Sequence, residues 1–131
     1  MRVDRQELAA IFAGGAAGAI ARVGLTKLFP AAAGSWPWAI FAANISGAFV
    51  LGYFVTGLQE RLPISTYRRS IVGTGFCGAY TTFSTLQLQL FQMLDRDRYG
   101  LAAGYIAASV VCGYAAVYLA TALTRRVRVF A

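Results

Sequence analysis

Histidine is absent and acid is scarce: five carboxylates, Asp4, Glu7, Glu60, Asp95 and Asp97, stand against twelve Lys and Arg. All five fall outside the long apolar runs or at their margins. Proton-coupled exchange across a membrane normally uses an intramembrane acid, and hydrolytic chemistry needs a base, so neither is well served here. The only cysteines, Cys77 and Cys112, each lie in the middle of an apolar run. That argues against a disulfide framework and gives no metal-ligand spacing, so both read as small apolar packing residues. Charge is short altogether. Charged residues make up 13% of the 131, and 58% are hydrophobic, whereas a soluble domain carries about 25% charged residues. Too little polar surface is available to coat a water-soluble globule, and lipid is the natural solvent. The net charge of +7 could suit nucleic acid, but no basic patch is interleaved with aromatics, so no nucleic-acid partner is expected.

What the chain does have is four apolar runs long enough to cross a hydrocarbon core of about 30 Å: Glu7 to Phe29, Ser35 to Leu58, Thr66 to Met93 and Tyr99 to Leu123. Together they take 100 of the 131 residues, which leaves no room for a soluble catalytic domain. The expected architecture is one all-α membrane domain over 1–131. The first run is preceded by Arg2, Asp4 and Arg5 and carries Arg22. It is therefore not read as a cleavable signal peptide, and the mature chain is expected to begin near Met1. The connections Pro30 to Gly34, Gln59 to Ser65 with Pro63, and Leu94 to Arg98 are short enough to force antiparallel neighbours. An even number of spans puts both termini on one side with eight cations and a net +5, against four cations and +2 opposite. The positive-inside rule then favours cytoplasmic termini, by a moderate margin.

Thirteen of fourteen glycines lie within the spans, with Gly14 and Gly18, and Gly100 and Gly104, at the spacing that lets helix backbones approach closely in lipid. The third span departs from an ordinary lipid-facing helix. From Gly73 it reads Gly-Thr-Gly-Phe-Cys-Gly-Ala-Tyr-Thr-Thr-Phe-Ser-Thr. Glycine removes the steric bar to unwinding and hydroxyls can cap the released backbone groups, so a helix break is expected near Gly75 to Thr82. Unwound carbonyls would suit a small hard cation such as Na⁺, and half-helix N-termini would suit an anion; a kinked packing helix is the plainer alternative. Asn44 is the one amide deep within a span. Its NH₂ group can donate to an anion or to a carbonyl on another helix. Tyr105 and Ser109, four apart, share a face of the fourth span, although a hydroxyl bonded to its own helix is the commoner arrangement. Arg22 can draw anions into a vestibule, brace the third helix, or snorkel to the interface. Neutral donors with one cation, and no intramembrane acid, point to an anion that is conducted rather than exchanged.

These residues resemble the Fluc (CrcB-type) fluoride channels. The resemblance runs through Gly14-Gly15, Gly18-Ala19 and Arg22, then Asn44 to Gly47 with Gly52. It continues through Thr74-Gly75-Phe76-Cys77-Gly78 with Thr81-Thr82-Phe83-Ser84-Thr85, and Ser109. It covers essentially the whole chain, and the Thr-Thr-Phe-Ser-Thr string is its most specific part. The resemblance implies an antiparallel, dual-topology homodimer of four-span subunits with a broken third helix, seated in the cell's inner membrane. Such a dimer would export fluoride passively through pores at its interface. It implies a structural, non-transported Na⁺ on the backbone carbonyls of Gly78 and Thr81. The fluoride pathway would be formed by Asn44, Thr82, Phe83, Thr85, Leu86, Tyr105 and Ser109, with Arg22 supporting the vestibule.

Two positions depart from the family pattern. A second phenylalanine usual three residues after the first is here Leu86, and a common glutamate is here Gln89. The loss of one ring per subunit could change conductance or selectivity, or fit a chain that is one subunit of a heterodimeric channel. A proton-coupled small-molecule exporter is the alternative from another class.

Overall fold

The computed structural model describes residues 4–61 and 66–126. Pro63 with the turn around it, and the terminal cations Arg2 and Arg128, lie outside the described residues. Every regular element among the described residues is helical. Helix α1 (Arg5–Leu28) starts at Asp4, whose carboxylate accepts from the backbone N–H groups of Gln6 at 2.9 Å and Glu7 at 3.4 Å. Those are donors that the helix itself leaves without partners. The helix stops one residue short of Pro30, which has no N–H to continue the ladder. Helix α2 (Trp38–Arg61) begins directly after Pro37, whose carbonyl accepts from Phe41 N–H at 3.0 Å.

The third hydrophobic stretch is divided. A single turn, α3 (Thr66–Arg69), runs into a π-helix over Ser70–Cys77 and a further turn, α4 (Gly78–Tyr80). Thr81 and Thr82 are then extended, with φ/ψ of −82/155° and −152/122°, before α5 (Phe83–Leu94) resumes. After a tight turn in which Asp97 takes a positive φ of 57°, α6 (Tyr99–Arg126) closes the described chain. Among the described residues, three helices are long and apolar enough to cross a membrane: Arg5–Leu28, Trp38–Gly57 within α2, and Tyr99–Arg126. No piece of the 66–94 stretch reaches that length.

Why this stretch lies where it does follows from glycines on both sides of one contact. A methyl group at Gly14 would collide with the carbonyl oxygen of Ile71, and one at Gly18 with that of Phe76. From the other side, a methyl at Gly75 would stand 2.6 Å from the Ile11 oxygen and 3.0 Å from Gly15 N. Backbone therefore meets backbone where α1 and the π-helix cross, the close approach that small residues permit when no hydrophobic effect drives helices together. The ends of the contact are pinned by side chains. Buried Ser70 donates to Glu7 Oε1 at 2.8 Å, and the Tyr67 hydroxyl is shared between Gln6 Oε1 at 2.9 Å and Asp4 Oδ2 at 3.2 Å.

Helices α2 and α6 form the other close pair. Gly52 lies against Val117 and Ala120, Ala116 and Ala120 are buried, and the hydroxyls of Thr56 and Thr121 meet at 3.2 Å. The second small-residue pair behaves differently: nothing lies within 4 Å of where side chains at Gly100 or Gly104 would begin. The exterior is apolar, with Phe12 79% and Tyr114 74% exposed among many others. Such a continuous apolar surface is an aggregation hazard in water and an ordinary one in hydrocarbon.

Candidate functional site: a polar run across the helix interruption

Two extended residues inside an apolar environment release backbone groups that cost several kcal/mol each if left without partners. Asn44 answers both groups of Thr82. Its Oδ1 accepts from Thr82 N–H at 2.8 Å, and its Nδ2 donates to the Thr82 carbonyl at 3.1 Å. One N–H of the amide remains for another acceptor. Thr82 in turn caps α5, its Oγ1 accepting from Thr85 N–H at 3.2 Å and donating to Thr85 Oγ1 at 3.0 Å. The positive end of the α5 dipole is thus held beside the Asn44 amide, an arrangement that favours negative charge. Thr81 folds back onto the preceding turn, with its N–H and hydroxyl both donating to the Cys77 carbonyl, at 3.0 and 2.9 Å.

The run continues along α5. Gln89 lies one turn beyond Thr85, on the same face. It accepts at Oε1 from the Tyr105 hydroxyl of α6 at 2.9 Å. Tyr105 is fully buried, in a core with Met93 and Ala102 that Trp36, Phe41 and Leu86 pack against. Its ring meets Trp36 edge-on, with centroids 5.3 Å apart. One cavity lies against the Asn44–Thr82 junction and a second against Thr85 and Gln89 of α5. The first, of about 310 Å³, is lined by Asn44, Gly47, Leu51, Thr81, Thr82 and Phe83. The other, of about 270 Å³, lies towards the α1–α2 connection, with Thr26, Phe29, Pro37, Thr85 and Gln89 in its wall.

Of the residues singled out in the sequence, Asn44, Thr82 and Thr85 form one hydrogen-bonded group, while Tyr105 forms a separate pair with Gln89, one turn further along α5. Phe83 turns outward, 71% exposed, at the rim of the larger cavity. Leu86 is packed into the Tyr105 core rather than presented beside Phe83. Ser109, one turn beyond Tyr105, is half-buried and makes no hydrogen bond among the described residues. Gly78 is exposed on the turn before Thr81. Arg22 is half-buried on α1, four residues before Thr26, and so on the face that reaches the smaller cavity. No cluster of His, Cys, Asp or Glu among the described residues could hold a metal ion through side chains. Sequence reasoning missed the participation of Gln89, although its spacing of seven from Thr82 and four from Thr85 is the signal that places it on the same face.

Helices throughout the described residues, three of them long and apolar enough to cross a membrane, with an apolar exterior and interior polar groups gathered at a helix interruption, define a helical membrane protein. Its sequence agrees. Residues 9–121 match the family described as CrcB-like protein, Camphor Resistance (CrcB). The chain is 56% identical over 126 residues to the fluoride-specific ion channel FluC 1 of Mycolicibacterium paratuberculosis, covering 96% of each. It is 52% identical to FluC 1 of Mycobacterium bovis, again with 96% of each covered. Against the fluoride-specific ion channel FluC of Koribacter versatilis it is 38% identical, over 87% of this chain and 91% of that one. The chain belongs to the CrcB family, a family of ion channels and not of enzymes.

Proposed function

We propose that this chain forms a fluoride-selective channel that lets fluoride leave the cytoplasm passively across the inner membrane. The observation that carries the reading is the Asn44–Thr82 junction. It sets a neutral amide donor and the N-terminus of α5 beside a cavity, with no carboxylate among its lining residues. Fluoride is strongly hydrated, so a pore must offer close donors in place of its water, and neutral donors in series let the ion leave again. The names borne by the relatives support the same anion.

In this reading α3, the π-helix, α4 and α5 together make a fourth crossing, a transmembrane helix broken at Thr81 and Thr82. The polar parts of a single chain are too few to enclose a pore. Two copies in antiparallel orientation supply both walls, and the Gly78 and Thr81 carbonyls of both subunits hold a structural Na⁺ at the centre. The exposed face of Phe83 and the open surface along Gly100 and Gly104 support a partner chain. The ring edge of Phe83 carries positive quadrupole density suited to an anion.

The experiment is fluoride efflux from liposomes holding the purified protein, with chloride as the comparison ion. Efflux of fluoride well above chloride is expected. Replacing Na⁺ by a larger cation should weaken both the dimer and the flux, and indifference of both would remove the cation from the reading.

A further inference from the structure

The helix interruption leaves two backbone acceptors without their usual donors. In a continuous helix the Gly78 carbonyl would accept from Thr82 N–H, and the Thr81 carbonyl from Thr85 N–H. Here Thr82 N–H is given to Asn44 Oδ1 and Thr85 N–H to Thr82 Oγ1, and no other hydrogen bond among the described residues reaches either oxygen. Two neutral, hard oxygens freed by a broken helix suit a small cation such as Na⁺. They are held by different means. The Thr81 carbonyl shares a peptide plane with Thr82 N–H, so Asn44, by taking that N–H, turns the carbonyl the opposite way. The Gly78 carbonyl belongs to α4, a turn of three residues, too short for its own hydrogen bonds to hold it. Its side-chain tie to another helix is at Tyr80, whose hydroxyl lies 3.0 Å from Ser46 Oγ on α2. The single hydroxyl proton of Ser46 is directed at the Ala42 and Ala43 carbonyls, at 2.7 and 3.3 Å, so its oxygen accepts and Tyr80 donates. The tyrosine ring is fixed as well, stacked on Phe76 with centroids 5.2 Å apart. Gly47 clears the space between, since a side chain there would run into Thr81. Residues 44 and 46 of α2 thus grip residues 82 and 80, one pair on each side of Thr81.

We propose that Tyr80 and Ser46 are a positioning pair for the cation site. Their hydrogen bond sets where the Gly78 carbonyl stands relative to that of Thr81, and so how tightly the two oxygens bind Na⁺, without either side chain being a ligand. The proposal rests on the cation part of the channel reading and deepens it. Carbonyl ligands carry no charge, so their affinity for a cation depends on being held in place beforehand, and groups that fix a ligand from behind commonly change metal affinity by about 10–100-fold. A backbone ligand is fixed only through the elements around it. One hydroxyl contact at the end of a short turn belongs at the lower end of that range or below it.

The test is a Na⁺ titration of the purified, assembled protein in detergent, read by thermal unfolding, with N-methylglucamine making up the ionic strength. A ligand bound only by the folded state raises the melting temperature once its concentration passes the dissociation constant. The parent's melting temperature should therefore begin to climb at a definite Na⁺ concentration. Y80F keeps the ring against Phe76 and loses only the hydroxyl, and its climb should begin at Na⁺ at least threefold higher. S46A should displace the onset by a similar factor, and Y80F/S46A by no more than either alone, because the same bond is lost in each. S46T, which keeps a hydroxyl, should stay near the parent. A bond that merely stabilised the fold would lower the melting temperature by the same amount at every Na⁺ concentration and leave the onset in place, and that result overturns the proposal. Should Y80F not fold, S46A against S46T decides alone. A parent whose melting temperature ignores Na⁺ defeats the cation part of the reading and the proposal with it, a different result from variants that share the onset of a Na⁺-responsive parent.

Discussion

The two halves of the third hydrophobic stretch are held by opposite means. The N-terminal half, the π-helix over Ser70–Cys77, is fixed by the absence of side chains: Gly14, Gly18 and Gly75 let backbone rest on backbone. The C-terminal half, α5, is placed by side-chain hydrogen bonds, from Asn44 to Thr82, from Thr82 to Thr85, and from Tyr105 to Gln89. Shape is set in the first half and chemistry in the second. Damage to the first should therefore appear as lost protein, and damage to the second as lost flux in protein that still folds.

The largest expected effect is in the glycine half. Gly18→Leu drives a side chain into the Phe76 carbonyl, where backbone rather than a flexible side chain must yield. Overpacking typically costs about 1–3 kcal/mol, and this case should reach or exceed the upper end. Folded yield and thermal unfolding in detergent measure it, and an unshifted melting curve would break the contrast between the halves.

Next comes the junction. Asn44→Asp keeps an acceptor for Thr82 N–H but cannot donate to the Thr82 carbonyl, and it adds an anion beside the proposed path. Fluoride flux should fall more than tenfold, with a modest loss of stability of about 1–3 kcal/mol for the unpaired carbonyl. Flux equal to the parent's in liposomes would take Asn44 out of the site. Thr82→Val is smaller: loss of the N-cap should cost about 1 kcal/mol, read as a lowered melting temperature, while Thr82→Ser should stay near the parent.

The smallest effect sharpens the comparison from outside it. Nothing among the described residues opposes a side chain at Gly104, so Gly104→Ala should be neutral or stabilise a single subunit by about 1 kcal/mol through helix propensity. A clear loss of dimer in size exclusion would mean that this glycine meets another chain.

Much of this is legible in the sequence, for physical reasons that can be named. Hydropathy marks α1, α2 and α6 because burying a helix in lipid needs little beyond length and apolar side chains. The Gly14 and Gly18 spacing signals close packing, and the structure uses it. The pair at Gly100 and Gly104 carries the same signal with no neighbour among the described residues, so spacing alone does not name the partner. The π-helix is not legible, since a widened helix leaves no period in the residues that form it. Nor is the position of the extended residues. Gly75, Gly78 and Thr81 would each tolerate an interruption, and what selects Thr81 and Thr82 is Asn44 on another helix, 38 residues earlier in sequence. Gln89 stands out in the sequence only as a departure from the family's glutamate. Its hydrogen bond from Tyr105 shows only in the structure.

The central claim, that the Asn44–Thr82 junction serves fluoride conduction, is tested most directly by one efflux measurement on three preparations: folded parent, folded Asn44→Asp and protein-free liposomes. Rapid fluoride release is expected from the parent, with chloride retained, and release from the aspartate variant close to that of empty vesicles. Parent liposomes that hold their fluoride as empty ones do, with the protein shown to be folded and inserted, would contradict it.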